Sequence, residues 1–599
     1  MSWVLAPFKW VLARFVSAIN IIFTLVALVI LIAVLSSIFG SFGSKGLPAT
    51  MVLTLDMRQD FTDQPSPSVF GTAPPSVIET IFALQKAESD PRVKGIYIRV
   101  GEGGLSYAHV QELRASLKAL RAAGKFVLVH TQGQLGGGLN AYYLASAADQ
   151  IWLQPGSGMG TSGIASYAMF LRGALENLKA EPEFFQREEY KNAANQFMER
   201  DFTPAHREAM TALLGSIFGT ATAEIAADRG MTVEKFLAVL NGAPYISDEA
   251  KALKLVDELG FDDQAEKAAK DRAGEGAELT ELAAYYKAEG SPYENPYGND
   301  GVIALIMGEG AIQEGESGQP DPLGSDETSI GGDTLAKAFR DATEDKEVKA
   351  ILFRVNSPGG SAIASDQILD AIRKAQAAGK PVIISMGPVA ASGGYWVSMT
   401  GDKIFAEPTT ITGSIGVLFG KVVFGGTYDW LGVGFKGITF GGPTTTMFNT
   451  IEKFTPEQVA AVNRLIDSIY KDFVTKVAEA RGKTPEEIRA VAKGRVWSGT
   501  DAKARGLVDE LGGFRDALGA TIAMAGLSPD AKIHLRLFPA PKTPIEQFAE
   551  LFGGAAAAVT TLQSFDAVLD TDMAQTLMEA ADDADEAGVQ ARAPRQKLR

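Results

Sequence analysis

The chain contains itself twice. DPRVKGIYIRV at 90–100 matches DKEVKAILFRV at 345–355, a displacement of 255 residues that holds without a gap to RAAGK at 121–125 and QAAGK at 376–380. The copies realign at DQIWLQP (149–155) and DKIFAEP (402–408), at FTPAH (202–206) and FTPEQ (454–458), and at LVDELG (255–260 and 507–512). A period of this length is far too long for a solenoid and predicts two tandem domains of one fold. With 599 residues, 46% of them hydrophobic, the chain can bury two substantial cores. Each copy opens on a β-rich run (48–65 and 301–317), followed by a helical stretch, a buried strand, a helix ending in AAGK and another apolar strand. Strands alternating with helices of this length predict βαβ units around a largely parallel sheet, an α/β fold.

Ahead of the repeat, residues 15–44 carry no charge, and the centre, IIFTLVALVILIAVL at 21–35, is almost continuously apolar. That is long enough to span a hydrocarbon layer of ~30 Å. Lys9 and Arg14 precede it, which by the positive-inside rule keeps residues 1–14 cytoplasmic and exports the rest. The apolar run exceeds that of a cleaved signal peptide, and SSIFGSFGSK offers only weak cleavage options. The expected organisation is a transmembrane anchor at 15–44, a first domain at 48–275, a linker at 276–300, a second domain at 301–540 and a tail at 541–599, disordered in part. The setting expected is a bacterial inner membrane crossed once, with the bulk in the periplasm.

Composition removes several chemistries. There is no cysteine, so disulfides, zinc–thiolate sites and cysteine nucleophiles are excluded. A net charge of −16 with no evident basic face argues against nucleic acid. No P-loop or H-E-x-x-H pattern occurs, and no metal or cofactor is called for. Histidine is scarce: His109, His130, His206 and His534 are the whole supply.

The twins differ at one telling place. MGPVAASGGYWV at 386–397 puts Ser392 where a buried strand ends and a helix begins. Small neighbours there admit a substrate backbone, and unpaired N–H groups at a helix start can stabilise an oxyanion. The same residues also fit a plain N-cap serine in a tight turn. NSPGGS at 356–361 follows the preceding parallel strand, so its glycines should lie beside Ser392 at the carboxyl edge of the sheet. Gly359 or Gly360, together with Gly393, would supply two oxyanion donors. The first copy has GEGGL (101–105) and GQLGGGLN (133–140), with no serine at that turn.

No histidine lies between Ser392 and His534, and His534 falls outside the matched repeat. A lysine can act as base if burial brings its pKa from about 10.4 toward 7–8, at a cost of roughly 4 kcal/mol. Lys191, in QREEYKNAANQF, lies 11 residues before FTPAH; the same count back from FTPEQ reaches Pro443. The first copy thus holds a lysine without a serine, and the second a serine without the lysine. Lys421 and Lys436 are rivals within the second copy. Glu188 and Glu189 would raise the pKa of Lys191 if they faced it, so they must point away. Ser414, in TGSIG, could orient the amine or serve only the turn.

NSPGGS, MGPVAASGGYWV and TGSIGV, in this order and spacing, with EYKNA around the lysine, resemble the long two-domain form of the signal peptide peptidase A family. The likeness runs from the anchor to about Leu511. It implies two tandem crotonase-like domains, akin to Clp protease subunits, and a Ser392 nucleophile with Lys191 as general base. It further implies oxyanion donors among Gly359, Gly360 and Gly393, with Ser414 assisting the lysine. The family often has serine after the lysine where this chain has Asn192. The resemblance also implies a membrane-tethered homotetramer digesting hydrophobic peptides, remnant signal peptides among them. Two other readings stay open: an acyl-CoA enzyme of the same broad fold, and a non-enzymatic membrane scaffold.

Overall fold

The computed structural model describes residues 46–59, 61–64, 76–101, 104–133, 138–290, 298, 300–318 and 328–540. The expected cytoplasmic segment, the anchor at 15–44 and the tail at 541–599 lie outside the described residues.

Two parallel sheets carry the same strand order. The first runs through β1 (Met51–Met57), β2 (Val93–Val100), β3 (Phe126–Thr131) and β4 (Gln150–Leu153). After β5 (Glu181–Gln186), which leaves this sheet, come β6 (Glu258–Leu259) and β7 (Glu278–Glu281), and the spatial order is β6-β4-β3-β2-β1-β7. The second is built from β8 (Gly301–Glu309), β9 (Val348–Ser357), β10 (Val382–Ala391), β11 (Lys403–Ala406) and β12 (Ile411–Gly413). It is completed by β14 (Val496–Ser498), β15 (Glu510–Leu511) and β16 (Ile533–Phe538), while β13 (Leu418–Val423) lies apart from it. Along β15-β11-β10-β9-β8-β16 it repeats the first sheet strand for strand, and β12 and β14 extend the far end of β10. The expected α/β architecture of two tandem modules is the one observed.

Parallel strands covered by helices on both faces read as continuous apolar runs, which is why VIISM and ILFRV look alike on either face. In β3 every residue is buried. The repeated AAGK lysines have one job in both modules. Lys125 Nζ donates to the carbonyls of Asp90 and Val93 at 2.7 and 2.6 Å, and Lys380 Nζ donates to those of Ala342 and Asp345, closing the loop before β2 and β9. Ser106 and Ser361, also repeat partners, each cap the following helix through their hydroxyls.

One stretch departs from expectation. The first half of 276–300, read as linker, carries β7 paired in parallel with β1, then the helix Leu282–Glu289 with Leu282 and Tyr285 buried. The first module therefore continues to residue 289. The sequence signal missed was the repeat itself, since β7 is the twin of β16. The apolar helix Pro204–Asp228 is long enough to cross a membrane by length and composition, yet it turns Leu213, Ile217 and Ile225 into the module core.

The modules share one core. Phe514 and Leu518, from the helix Phe514–Met524 of the second module, pack with Phe82, Ile78 and Leu84 of the first, and the Phe82 and Phe514 rings meet edge to face at 5.5 Å. Each such fully buried side chain contributes about 1.5–3 kcal/mol. Through this seam runs a buried ion cluster. Arg354 of β9, wholly inaccessible, donates to Asp63 (2.6 and 3.0 Å) and to both oxygens of Glu112 (2.7 and 2.8 Å), two carboxylates of the first module. Burial pushes the Asp63 carboxyl up, but Arg354 and the His109 ring beside it outweigh that and hold it well below the usual carboxylate range.

Candidate active site

β10 ends at Ala391, and Ser392 turns the chain into the short helix Gly393–Trp396. Its backbone sits at φ +54°, a strained conformation for a residue with a Cβ, which costs on the order of 1–3 kcal/mol. The Ser392 N–H donates to the Gly413 carbonyl at 2.9 Å, fixing the turn against β12. This twist lifts the hydroxyl out of the strand line at the carboxyl edge of the sheet.

Lys191 reaches that hydroxyl from the other module. β5 leaves the first sheet and pairs antiparallel with β13 of the second, from Leu418 opposite Gln186 to Val423 opposite Glu181. The chain then turns at Arg187, whose N–H donates to Val417 O, and Tyr190 N–H donates to Lys493 O. These bonds deliver Lys191 Nζ to 3.0 Å from Ser392 Oγ, 2.9 Å from Ser414 O and 3.0 Å from Ser414 Oγ. All three partners are neutral oxygens. Lys191 is only 6% exposed, and burial brings its amine down to about 8. Glu189 points away into an ion pair with Lys493 at 2.9 Å, as a depressed amine requires.

The glycines sort themselves by their amides. Gly359 N–H donates to Ser357 Oγ at 3.1 Å, so that donor is engaged within the turn. The Gly360 and Gly393 N–H groups have no hydrogen bond among the described residues. A methyl on Gly393 would stand 3.1 Å from the Gly360 amide nitrogen, so the two free donors flank one spot beside Ser392. Of the expected alternatives, Gly360 is the free donor, and Gly359 supplies close approach, since a methyl there would strike Ser392 and Gly393 at 2.8 and 2.5 Å.

The rivals are elsewhere. Lys421 Nζ is taken up by the carbonyls of Met447, Asn449 and Glu452, and Lys436 is exposed. His109 and His130 are tied to Asp63 and Gly260 O, and His206 lies against Phe202.

Sequence reasoning missed Gly494. At φ +76° it lies against Lys191, and a methyl on it would come within 2.6–2.7 Å of the Lys191 N, Cα and Cβ. Gly494→Ala is therefore expected to push the amine off Ser392 and lower kcat by about 10²-fold, the usual cost of a misplacement near 1 Å. Steady-state kinetics beside a thermal unfolding midpoint check it; a kcat within twofold of wild type refutes the crowding argument.

The model of the family described as Peptidase family S49 matches residues 119–275 and 374–528, one match in each module. The chain belongs to peptidase family S49. "Protease 4" of Salmonella typhi is 34% identical over 81% of this chain and 77% of its own length. "Protease 4" of Haemophilus influenzae is 33% identical over 74% and 72%. "Serine protease SPPA, chloroplastic" of Arabidopsis thaliana is 28% identical over 85% and 74%. This S49 peptidase is a two-module serine protease, and its substrates are peptides. The first module has Leu139, fully buried, at the position of Ser392, and its Asn140 side chain donates to Leu105 O at 2.7 Å.

Proposed function

We propose that this S49 peptidase hydrolyses peptide bonds with a Ser392–Lys191 dyad formed within one chain. The reading is carried by the 3.0 Å contact between a buried lysine amine and a strained serine hydroxyl. With its pKa at about 8, roughly a tenth of Lys191 is neutral at pH 7, enough to act as base. The neutral amine takes the Ser392 proton as Oγ attacks the scissile carbonyl carbon. The oxyanion is met by the Gly360 and Gly393 N–H groups. Collapse expels the amine, which leaves with the proton from Lys191, and an acyl-Ser392 ester remains. Water, deprotonated by Lys191, then attacks the ester and regenerates the hydroxyl. The Ser414 carbonyl and hydroxyl orient the amine throughout.

The finer reading adds a crotonase-like class for each module, with domains at 48–289 and 301–540. It adds residues 15–44 as a membrane anchor, leaving the modules on the periplasmic side, and hydrophobic peptides such as cleaved signal peptides as substrates. A homotetramer belongs to the same reading. Support comes from the uncharged apolar segment with its preceding Lys9 and Arg14, and from the family resemblance.

A fluorophosphonate tests the dyad without a known substrate. Labelling should map to Ser392, with a rate that climbs as pH rises through about 8, because the base works only when deprotonated. Labelling on another residue, or a rate flat from pH 6 to 10, would remove the dyad, and no labelling at all across that range would favour a scaffold.

A further inference from the structure

Lys191 stands on a very short turn. Its backbone sits at φ −77° and ψ 73°, and Asn192 N–H donates to Tyr190 O at 2.9 Å, the geometry of an inverse γ-turn. Such a turn closes on a single hydrogen bond, so the direction in which its central side chain leaves depends on what holds its ends. At the Asn192 end the chain runs on into a helical turn of the first module, Asn192–Ala194. The Tyr190 end is held by the second module. Its N–H donates to Lys493 O at 3.1 Å, and its ring lies against Arg495, whose guanidinium carbon is 4.9 Å from the ring centroid.

Arg495 is the residue just before β14, and its side chain is half-buried. The guanidinium also lies over the Trp497 ring, at 4.3 Å, and donates through both Nη atoms to the Glu208 carboxylate, one of them at 2.8 Å. Glu208 belongs to the helix Pro204–Asp228 of the first module. Lying on ring faces while gripping a carboxylate requires the planar fork that arginine has and lysine lacks. The Arg495 carbonyl has a different partner: it accepts the Ser414 N–H at 2.7 Å. Ser414, at φ +52°, in turn offers its O and Oγ to the Lys191 amine at 2.9 and 3.0 Å. One residue thus grips the turn that carries the base with its side chain, and the partner of the base with its backbone. The other charges on these elements are engaged elsewhere or exposed: Lys493 pairs with Glu189, Arg187 with Asp467, Arg505 with Asp501, and Glu188 faces solvent. Only burial depresses the Lys191 amine.

We propose that Arg495 is a positioning residue for the dyad, fixing the Tyr190 ring and Ser414 relative to one another so that the Lys191 amine arrives on the Ser392 hydroxyl. The inference rests on the dyad reading above. Arg495 makes no hydrogen bond to Lys191 or Ser392 among the described residues, so it acts through the turn. Without the guanidinium the Tyr190 ring loses the group that pins it to the second module, and the γ-turn loses its outer support. Water then enters beside an amine that is only 6% exposed. A better-solvated amine holds its proton to higher pH, and a looser one meets Ser392 less often.

Arg495→Met, which removes the fork and the charge but keeps an apolar stem, separates this from a merely structural role. In the full-length protein in detergent, fluorophosphonate labelling of Ser392 should slow about tenfold at its high-pH plateau, and the midpoint of its pH profile should rise from about 8 toward about 9. The midpoint is a property of the folded molecules, so partial unfolding lowers the yield of label without moving it. Tyr190→Leu should reproduce both changes, and the double variant should be no worse than the worse single, because each removes the same contact. Arg505→Met is the control. Arg505 lies over the same Trp497 ring, 3.6 Å from its centroid, but pairs with Asp501, so its loss should leave the midpoint in place. An Arg495→Met midpoint equal to wild type, whatever its plateau, would overturn the positioning role. So would a wild-type midpoint in Tyr190→Leu, losses that add in the double variant, or an equal rise in Arg505→Met. Each of those results leaves the dyad standing. A wild-type enzyme labelled elsewhere than Ser392, or with a flat profile, would overturn the dyad and the positioning role with it.

Discussion

Ser392→Ala is expected to lower kcat toward peptides by about 10⁵–10⁶-fold with little change in KM, about 7–8 kcal/mol of barrier. The hydroxyl lies at the turn that carries the free Gly393 amide, 3.0 Å from the Lys191 amine. Under the proposed roles, its loss leaves substrate binding and the oxyanion donors intact but nothing to form the ester. Lys191→Ala should cost nearly as much, and the double variant no more than the worse single, because the two act as one unit. Residual catalysis of a few thousandfold over water would come from the oxyanion site. A Ser392→Ala enzyme retaining a tenth of wild-type turnover, with an unchanged circular dichroism spectrum, would end the assignment.

The second large effect is on stability. Arg354→Met is expected to destabilise the protein by about 3–5 kcal/mol at pH 7, because it strips the counter-charge from Asp63 and Glu112, both within 3% of full burial. Guanidinium unfolding read by fluorescence measures it. The sign with pH follows from the carboxyls. In the wild type, the depressed Asp63 carboxyl contributes stability that is present above the unfolded pKa of about 4 and lost as pH falls through its lower folded value. In the variant the buried Asp63 loses the Arg354 charge that offsets its burial and escapes ionisation by taking a proton, so the difference between the two proteins should narrow as pH drops from 7 toward 4. Replacing Arg354, Asp63 and Glu112 together by apolar residues should recover most of the loss. An Arg354→Met midpoint equal to wild type at pH 7 would show that the cluster is not what holds the seam.

Much of this was legible from local pattern. The apolar runs of β9 and β10 and the glycines after them are determined by neighbours in sequence, and the repeat doubles every such signal. Lys191 was reachable only by subtraction, as the lysine one copy has and the other lacks. What stayed hidden depends on residues far apart in the chain. Asp63 and Arg354 are separated by 291 residues, Glu112 and Arg354 by 242. The available clue was the charge itself: an arginine in the middle of ILFRVNS must be neutralised if the strand is buried. Gly494 was hidden for the same reason, since only folding places it on Lys191. β7 was read as linker because ELTE is too polar to announce an edge strand, and edge strands need no apolar alternation on their open side.

The delivery of Lys191 across the β5–β13 pairing has a consequence for biosynthesis. The amine leaves the ribosome 201 residues before the hydroxyl it meets, and the strand that holds it in place, β13, comes later still. Under the proposed roles, a partly made chain carries no cutting power against itself or the machinery that exports it. Latency needs no inhibitory leader: competence arrives only when the second half has folded onto the first.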